Sequence, residues 1–241
     1  MRFLTMGSRA LLVELDPRSD GDGPADPEPA QLYRTLTRTP PAGALEYVPA
    51  ARTVLVRFDP ALTSAAALSD RIGQAARAAT GADGSMEAAA DAGPDAAILE
   101  IPVRYDGADL DEVARISGLS QDEVVARHSG GLYTVAFCGF APGFGYLTGL
   151  DDALRLPRRA VPRTRVPAGS VAIADVYTAI YPHASPGGWH LLGRTETAVW
   201  DAARQPPALL EPGTRVRFVP QDASTTGRHA NGTTTADGRR G

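Results

Sequence analysis

LYTVAFCGFAPGFGYL, Leu132 to Leu147, begins as a strand and then stops being one. Leu132 to Phe137 has the β-branched and aromatic composition of a short strand. Gly139 to Leu147 then carries three glycines, one proline and three aromatics in nine residues, with no charge. Glycine and proline rule out a regular helix and mark a tight turn. The aromatics admit two readings. In one, the segment is a barrel corner whose rings pack into the core. In the other, it is a rigid loop that presents Phe140, Phe144 and Tyr146 to a ligand or a partner, with Phe144 and Tyr146 at a site mouth or subunit interface.

Outward from this stretch the pattern stays β. SVAIADVYTAIYP reads as two strands meeting near Ala174 and Asp175. GWHLLGRT is another, and GTRVRFVP closes the series with Val216 and Phe218 on one face. Many short strands between Gly/Pro turns predict a closed β-barrel. Before it, AILEIPVRY is a strand, and DLDEVARISGL and SQDEVVARHSG are helices, the second opened by a capping-box pattern at Ser120 and Glu123.

Nearer the N-terminus, ALLVEL is a strand and AQLYRTLTRT a helix with Leu32 and Leu36 on one face. Two strands follow around a Pro-Ala-Ala turn. A helix comes next, with Leu68, Ile72 and Ala76 in one stripe and Thr63 or Ser64 as cap. The order β-α-β-β-α predicts a small ferredoxin-like domain, a sheet with helices on one face. The chain is thus read as α+β: residues 1–80 an α/β domain, 81–97 an Ala/Gly/Asp-rich linker, 98–220 the barrel, and 221–241 a tail with almost nothing to bury, expected to be disordered.

Composition narrows the function. All 24 basic residues are arginine, which excludes a Schiff-base lysine and a phosphate-loop lysine. A net charge of −4 argues against nucleic acid. No apolar run is long enough to span a membrane, the first residues lack a secretory layout, and the single Cys138 suits a reducing cytoplasm. Nucleophile-elbow, Cys-pair and His-pair metal signatures are absent, and no metal is expected.

Two further segments stand beside the opening one. RLPRRAVPRTRVPAGS holds Arg155, Arg158, Arg159, Arg163 and Arg165 between prolines that keep it extended. A guanidinium there is either a bidentate clamp for a carboxylate or phosphate, or part of a solvated edge paired with Asp151 and Asp152. YPHASPGGWHLLGRT places His183 before a Pro-Gly-Gly turn. Ser170 lacks a base that sequence can place beside it, so turn chemistry is its default, and Cys138 reads as a small core residue.

Together these three segments resemble the signature blocks of the family of 5-oxoprolinase B subunits, also called allophanate hydrolase subunit 1 or sporulation kinase A inhibitor. The match runs from about His128 to Pro220. Gly145 stands where proline is common in the family, and Val161 where an acidic residue is common. The resemblance implies a cyclophilin-like barrel as the C-terminal domain. It also implies a hetero-oligomer with a second barrel subunit (C type) and a lactam-utilisation subunit (A type). That assembly opens 5-oxoproline to L-glutamate with ATP, which a partner binds or shares. On this basis the candidate catalytic residues are His128 and His183, and the candidate substrate-binding residues are Arg158, Arg163, Ser170, Phe140, Phe144, Tyr146, Gly187 and Gly188. Two other roles fit the family: a regulatory inhibitor of a sensor histidine kinase, and a subunit of an allophanate hydrolase or biotin-dependent carboxyltransferase, with biotin on another chain.

Overall fold

The computed structural model describes residues 1–16, 26–81 and 97–221. The expected linker and tail lie almost wholly outside these residues.

Strands β1 (Arg2–Thr5), β2 (Ala10–Glu14), β3 (Ala44–Pro49) and β4 (Thr53–Phe58) form one antiparallel sheet in the order β1-β2-β4-β3. Helices α1 (Pro29–Arg38) and α2 (Ala65–Gly81) pack on it. Leu11 and Val13 of β2, and Val54, Val56 and Phe58 of β4, alternate onto the covered face, as a period of two requires. Leu32 and Leu36 meet them from α1, and Leu68, Ile72 and Ala76 from α2. The Ser64 hydroxyl caps α2 by accepting from the Ala67 amide at 3.2 Å.

The sequence predicted β-α-β-β-α; the structure adds β1 in front. This strand occupies the edge beside β2 that the last strand of a β-α-β-β-α-β plait takes. The plait is therefore permuted, its closing strand delivered first.

The second unit begins with β5 (Leu99–Val103), α3 (Leu110–Ser117) and α4 (Gln121–Gly130), the last opened by the expected capping box. It continues through β6 (Tyr133–Cys138), β7 (Gly145–Thr148), β8 (Arg163–Val166), β9 (Ser170–Ala174), β10 (Tyr177–Ile180), β11 (Ser185–Gly187), β12 (His190–Arg194) and β13 (Arg215–Pro220). Seven strands curl into a nearly closed barrel in the order β12-β9-β10-β7-β6-β13-β5. The two edge strands meet at one bridge, where Arg104 and Arg194 exchange backbone hydrogen bonds of 2.9 Å in both directions. A Cβ on Gly193 would lie 2.3 Å from the Arg104 carbonyl oxygen, so this closure requires glycine.

Val135, Leu147, Val171, Ile173, Ile180, Val216 and Phe218 fill the barrel's main core, with Val113 of α3 and Val124 of α4. β8 and β11 form a separate two-stranded ribbon. The domains touch where α1 and β3 lie against β6.

Candidate functional site

The barrel strands sort their residues onto two faces. Along β9, Val171 and Ile173 join the main core, while Ala172 and Ala174 face outward. Along β10, Ile180 joins the main core, while Ala179, and Tyr181 just past the strand's end, join the outer-face cluster. The outer face carries its own apolar cluster: a floor of three alanines, with Phe144, Tyr181 and Trp189 above it. Phe144 sits 5.3 Å from Tyr181, 5.7 Å from Trp189 and 5.0 Å from Tyr146, in edge-on or tilted contacts that suit the ring quadrupoles. Tyr146 stacks on Phe137 at 4.4 Å, and Tyr177 stands edge-on to both. Small residues in the floor let large rings sit close to the sheet. A Cβ on Gly187 would come 2.2 Å from the Tyr181 hydroxyl, so the ribbon needs glycine there to pass the ring.

The charge-free stretch forms the turn between β6 and β7. The Phe144 amide donates to the Ala141 carbonyl at 3.0 Å, with Pro142 and Gly143 at the corner and Gly143 at φ +81°. The three aromatics of the turn differ in burial. Phe144 is only 2% exposed, so its expected place at a mouth or interface is corrected: it is core to the outer-face cluster. Tyr146 is half-buried. Phe140 is 62% exposed and holds φ +66°, a conformation that a bulky residue rarely adopts. Gly145, where the family pattern favours proline, packs tightly: a Cβ there would lie 3.1 Å from Leu210 Cβ.

The arginine segment separates by partner. Asp109, at the start of α3, is 2% exposed. Its carboxylate accepts two bonds of 2.7 Å from the Arg163 fork, one of 2.5 Å from Arg159 and one of 2.8 Å from the Leu191 amide. Burial pushes its pKa up, but the hydrogen bonds from Arg163 and Leu191 and the charges of Arg163 and Arg159 outweigh burial and hold it below the usual carboxylate value. Arg159 also donates to Glu112 at 2.7 Å. Arg163, expected to clamp substrate, therefore has its fork filled by a carboxylate of its own chain. Arg155 pairs with Asp152 at 2.6 Å, as the solvated-edge reading has it. Arg158 is 62% exposed, and among the described residues its ion pair is with Asp175, at 4.0 Å. Its charge eases the Tyr146 and Tyr181 hydroxyls, which burial raises. Arg158 thus keeps most of its guanidinium in solvent beside the aromatic face.

The remaining candidates scatter. His128 is fully buried. The single Thr178 hydroxyl proton goes to the Ala172 carbonyl, so Thr178 accepts from His128 Nε2 at 2.9 Å and Tyr105 donates to Nδ1 at 2.8 Å. The ring stacks on Phe218 at 4.7 Å, and burial lowers its pKa to about 3. Held neutral and away from solvent, His128 serves the core; the expected catalytic role does not fit this placement. His183 is exposed. The Ser170 hydroxyl donates to the Pro167 carbonyl at 2.8 Å, which is turn chemistry. Gly187 ends ribbon strand β11, and the carbonyl of Gly188, the next residue, accepts from the Arg159 amide at 2.8 Å. Cys138 donates to the Leu210 carbonyl at 3.1 Å, and burial raises its thiol pKa.

Asp109 went unread because YDGADLDEV looks like an ordinary helix start. The available signal was five arginines in eleven residues, which need counter-charges from elsewhere in the chain. Tyr181 and Trp189 were legible only as strand and turn residues.

Among the described residues there is no group of three metal-ligating side chains. The architecture is a permuted plait beside a nearly closed barrel, with an aromatic cluster on the barrel's outer face and the exposed Arg158 near it. Residues 1–210 match the family described as carboxyltransferase domain, subdomain C and D, and the chain belongs to it. It is 53% identical over 131 residues to the B subunit of 5-oxoprolinase from Escherichia coli O157:H7, across 53% of this chain and 60% of that one. It is 47% identical over 125 residues to the 5-oxoprolinase B subunit of Bacillus subtilis strain 168, across 51% and 52%. The match spans less than two thirds of each relative's length. The crystal structure of TTHA0988 superposes with a TM-score of 0.66 and 40% identity, over 91% of this chain and 41% of that one.

Proposed function

We propose that this chain is the B-type subunit of an ATP-dependent 5-oxoprolinase, inactive alone and acting in the cytoplasm with a C-type barrel subunit and an A-type lactam-utilisation subunit. The observation that carries this reading is the 53% identity to a protein named as the B subunit of 5-oxoprolinase. The site is compatible with it. Arg158 supplies a planar fork for the single carboxylate of 5-oxoproline, and the aromatic face with Tyr146 and Phe140 offers a surface to the small ring. A lactam is a stable amide. Transfer of the γ-phosphoryl group of ATP to its carbonyl oxygen makes that oxygen a leaving group. Water then adds at the ring carbon and the C–N bond opens to give γ-glutamyl phosphate, and a second water cleaves that acyl phosphate to release phosphate and glutamate. No helix among the described residues is long and apolar enough to cross a membrane.

The test is reconstitution. The chain alone is expected to form no glutamate, and the three-subunit mixture to form it with one ATP consumed per ring opened. Turnover by the chain alone, or none by the assembled mixture, overturns the reading. A second reading rests on the family's own description as a carboxyltransferase domain. It predicts carboxyl transfer from carboxybiotin carried on another chain, which the same mixture can be assayed for.

A further inference from the structure

A cleft of 710 Å³ lies between the two domains. One wall is α1 with the β3–β4 turn; the other is formed by the outward residues of β6 and β7 and by the β9–β10 turn. Its size falls in the range of sites that enclose a small molecule. Three guanidinium groups line it: Arg34 on α1, Arg52 between β3 and β4, and Arg155 on the barrel.

Arg34 is half-buried and makes no ion pair or hydrogen bond among the described residues. A guanidinium partly withdrawn from water without a partner loses hydration that nothing returns. Arg52 reaches its carboxylate, Asp16, only at 3.9 Å. Arg155 holds Asp152, which is 84% exposed and so readily exchanged. Asp16 and Glu28 also line the cleft and leave the arginines in excess by one charge. Beside the cations, Phe137 and Tyr177 supply an aromatic wall, their rings 5.5 Å apart.

We propose that this cleft binds an oligophosphate carrying a planar group. Its phosphates would be held by Arg34, Arg52 and Arg155, and its planar group would lie against Phe137 and Tyr177. Separate guanidinium groups suit an anion with several charged centres better than a single carboxylate, and each fork can grip two phosphate oxygens. The aromatic wall adds a reason for a base or similar ring to accompany the phosphates. The cleft adjoins the outer face to which the lactam substrate is assigned, since Phe137 stacks on Tyr146 at 4.4 Å.

Calorimetric titration of the full chain with magnesium ATP, and separately with inorganic triphosphate, tests it. Both are expected to bind, ATP roughly tenfold tighter because of stacking. Arg34→Ala is expected to weaken both by tenfold or more without moving the melting temperature of the free protein. Arg52→Ala, in an exposed turn, tests the same grip with no risk to the fold and should cost several-fold. Arg165→Ala, on β8, should leave both affinities unchanged. No saturable binding at millimolar ligand, or binding indifferent to Arg34 and Arg52, overturns the site. Equal affinity for ATP and triphosphate overturns the aromatic half of it. The titration contains neither 5-oxoproline nor a partner, so it succeeds or fails independently of glutamate formation.

Discussion

At the scale of single residues, neighbouring arginines in one segment have opposite duties. Asp109 is buried under two guanidinium groups, so removing its charge strands Arg163 and leaves Arg159 with Glu112 alone. Breaking a buried pair from one side costs about 3–5 kcal/mol. Asp109→Asn is therefore expected to lower the unfolding free energy by about that much in urea titrations. Arg158→Ala, by contrast, should change stability by less than about 0.5 kcal/mol, since its ion pair is long and solvated, while raising the apparent KM for 5-oxoproline in the assembled enzyme. Equal stability losses would mean that Arg158 is structural too. His128 gives a second expectation. Its folded pKa of about 3 lies below the ordinary value of 6.5, so the unfolded chain takes up a proton first. Stability should then fall as pH drops from about 6.5 to about 3, with a slope of up to ~1.4 kcal/mol per pH unit from this group. His128→Gln should flatten that part of the pH–stability curve; an unchanged slope would show that other groups drive the acid lability.

At the scale of elements, the β6–β7 turn carries two phenylalanines with opposite environments. Phe144→Ala empties the centre of the outer-face cluster and should cost about 3–5 kcal/mol, lowering the melting temperature by many degrees. Phe140→Gly removes an exposed ring from a left-handed position and should leave stability equal or higher by up to ~1 kcal/mol. If assembly with the partner weakens in Phe140→Gly alone, this strained residue is a contact. Matched stability losses in the two variants would refute the division. Sequence reasoning found the strands here because Gly and Pro punctuate them. It did not find which ring is covered, since burial depends on the alanine floor and on Trp189, far along the chain. Strand β1 was missed for a related reason: RFLT is mostly exposed and shows no alternation to read.

At the scale of the whole molecule, the two cores were legible, because each is built from local stripes and alternations such as Leu68, Ile72 and Ala76, or Val216 and Phe218. The Asp109 clamp, the Arg104–Arg194 closure and the interdomain cleft were not, because each joins residues that only the finished fold brings together. The permuted plait bears on how such a chain reaches that finished fold. β1 pairs with β2 across a short hairpin, so the N-terminal sheet completes itself from nearby strands once α2 has been made. The barrel has no such freedom. β13 is the last described strand, yet it lies in parallel beside β5, the first of its domain, and antiparallel to β6. Loop-closure entropy must be met before that pairing is rewarded. On a ribosome, the first domain can therefore be native while the barrel, lacking β13, still exposes the edges of β5 and β6. The time of greatest aggregation risk falls just before β13 emerges, with the plait already folded beside it.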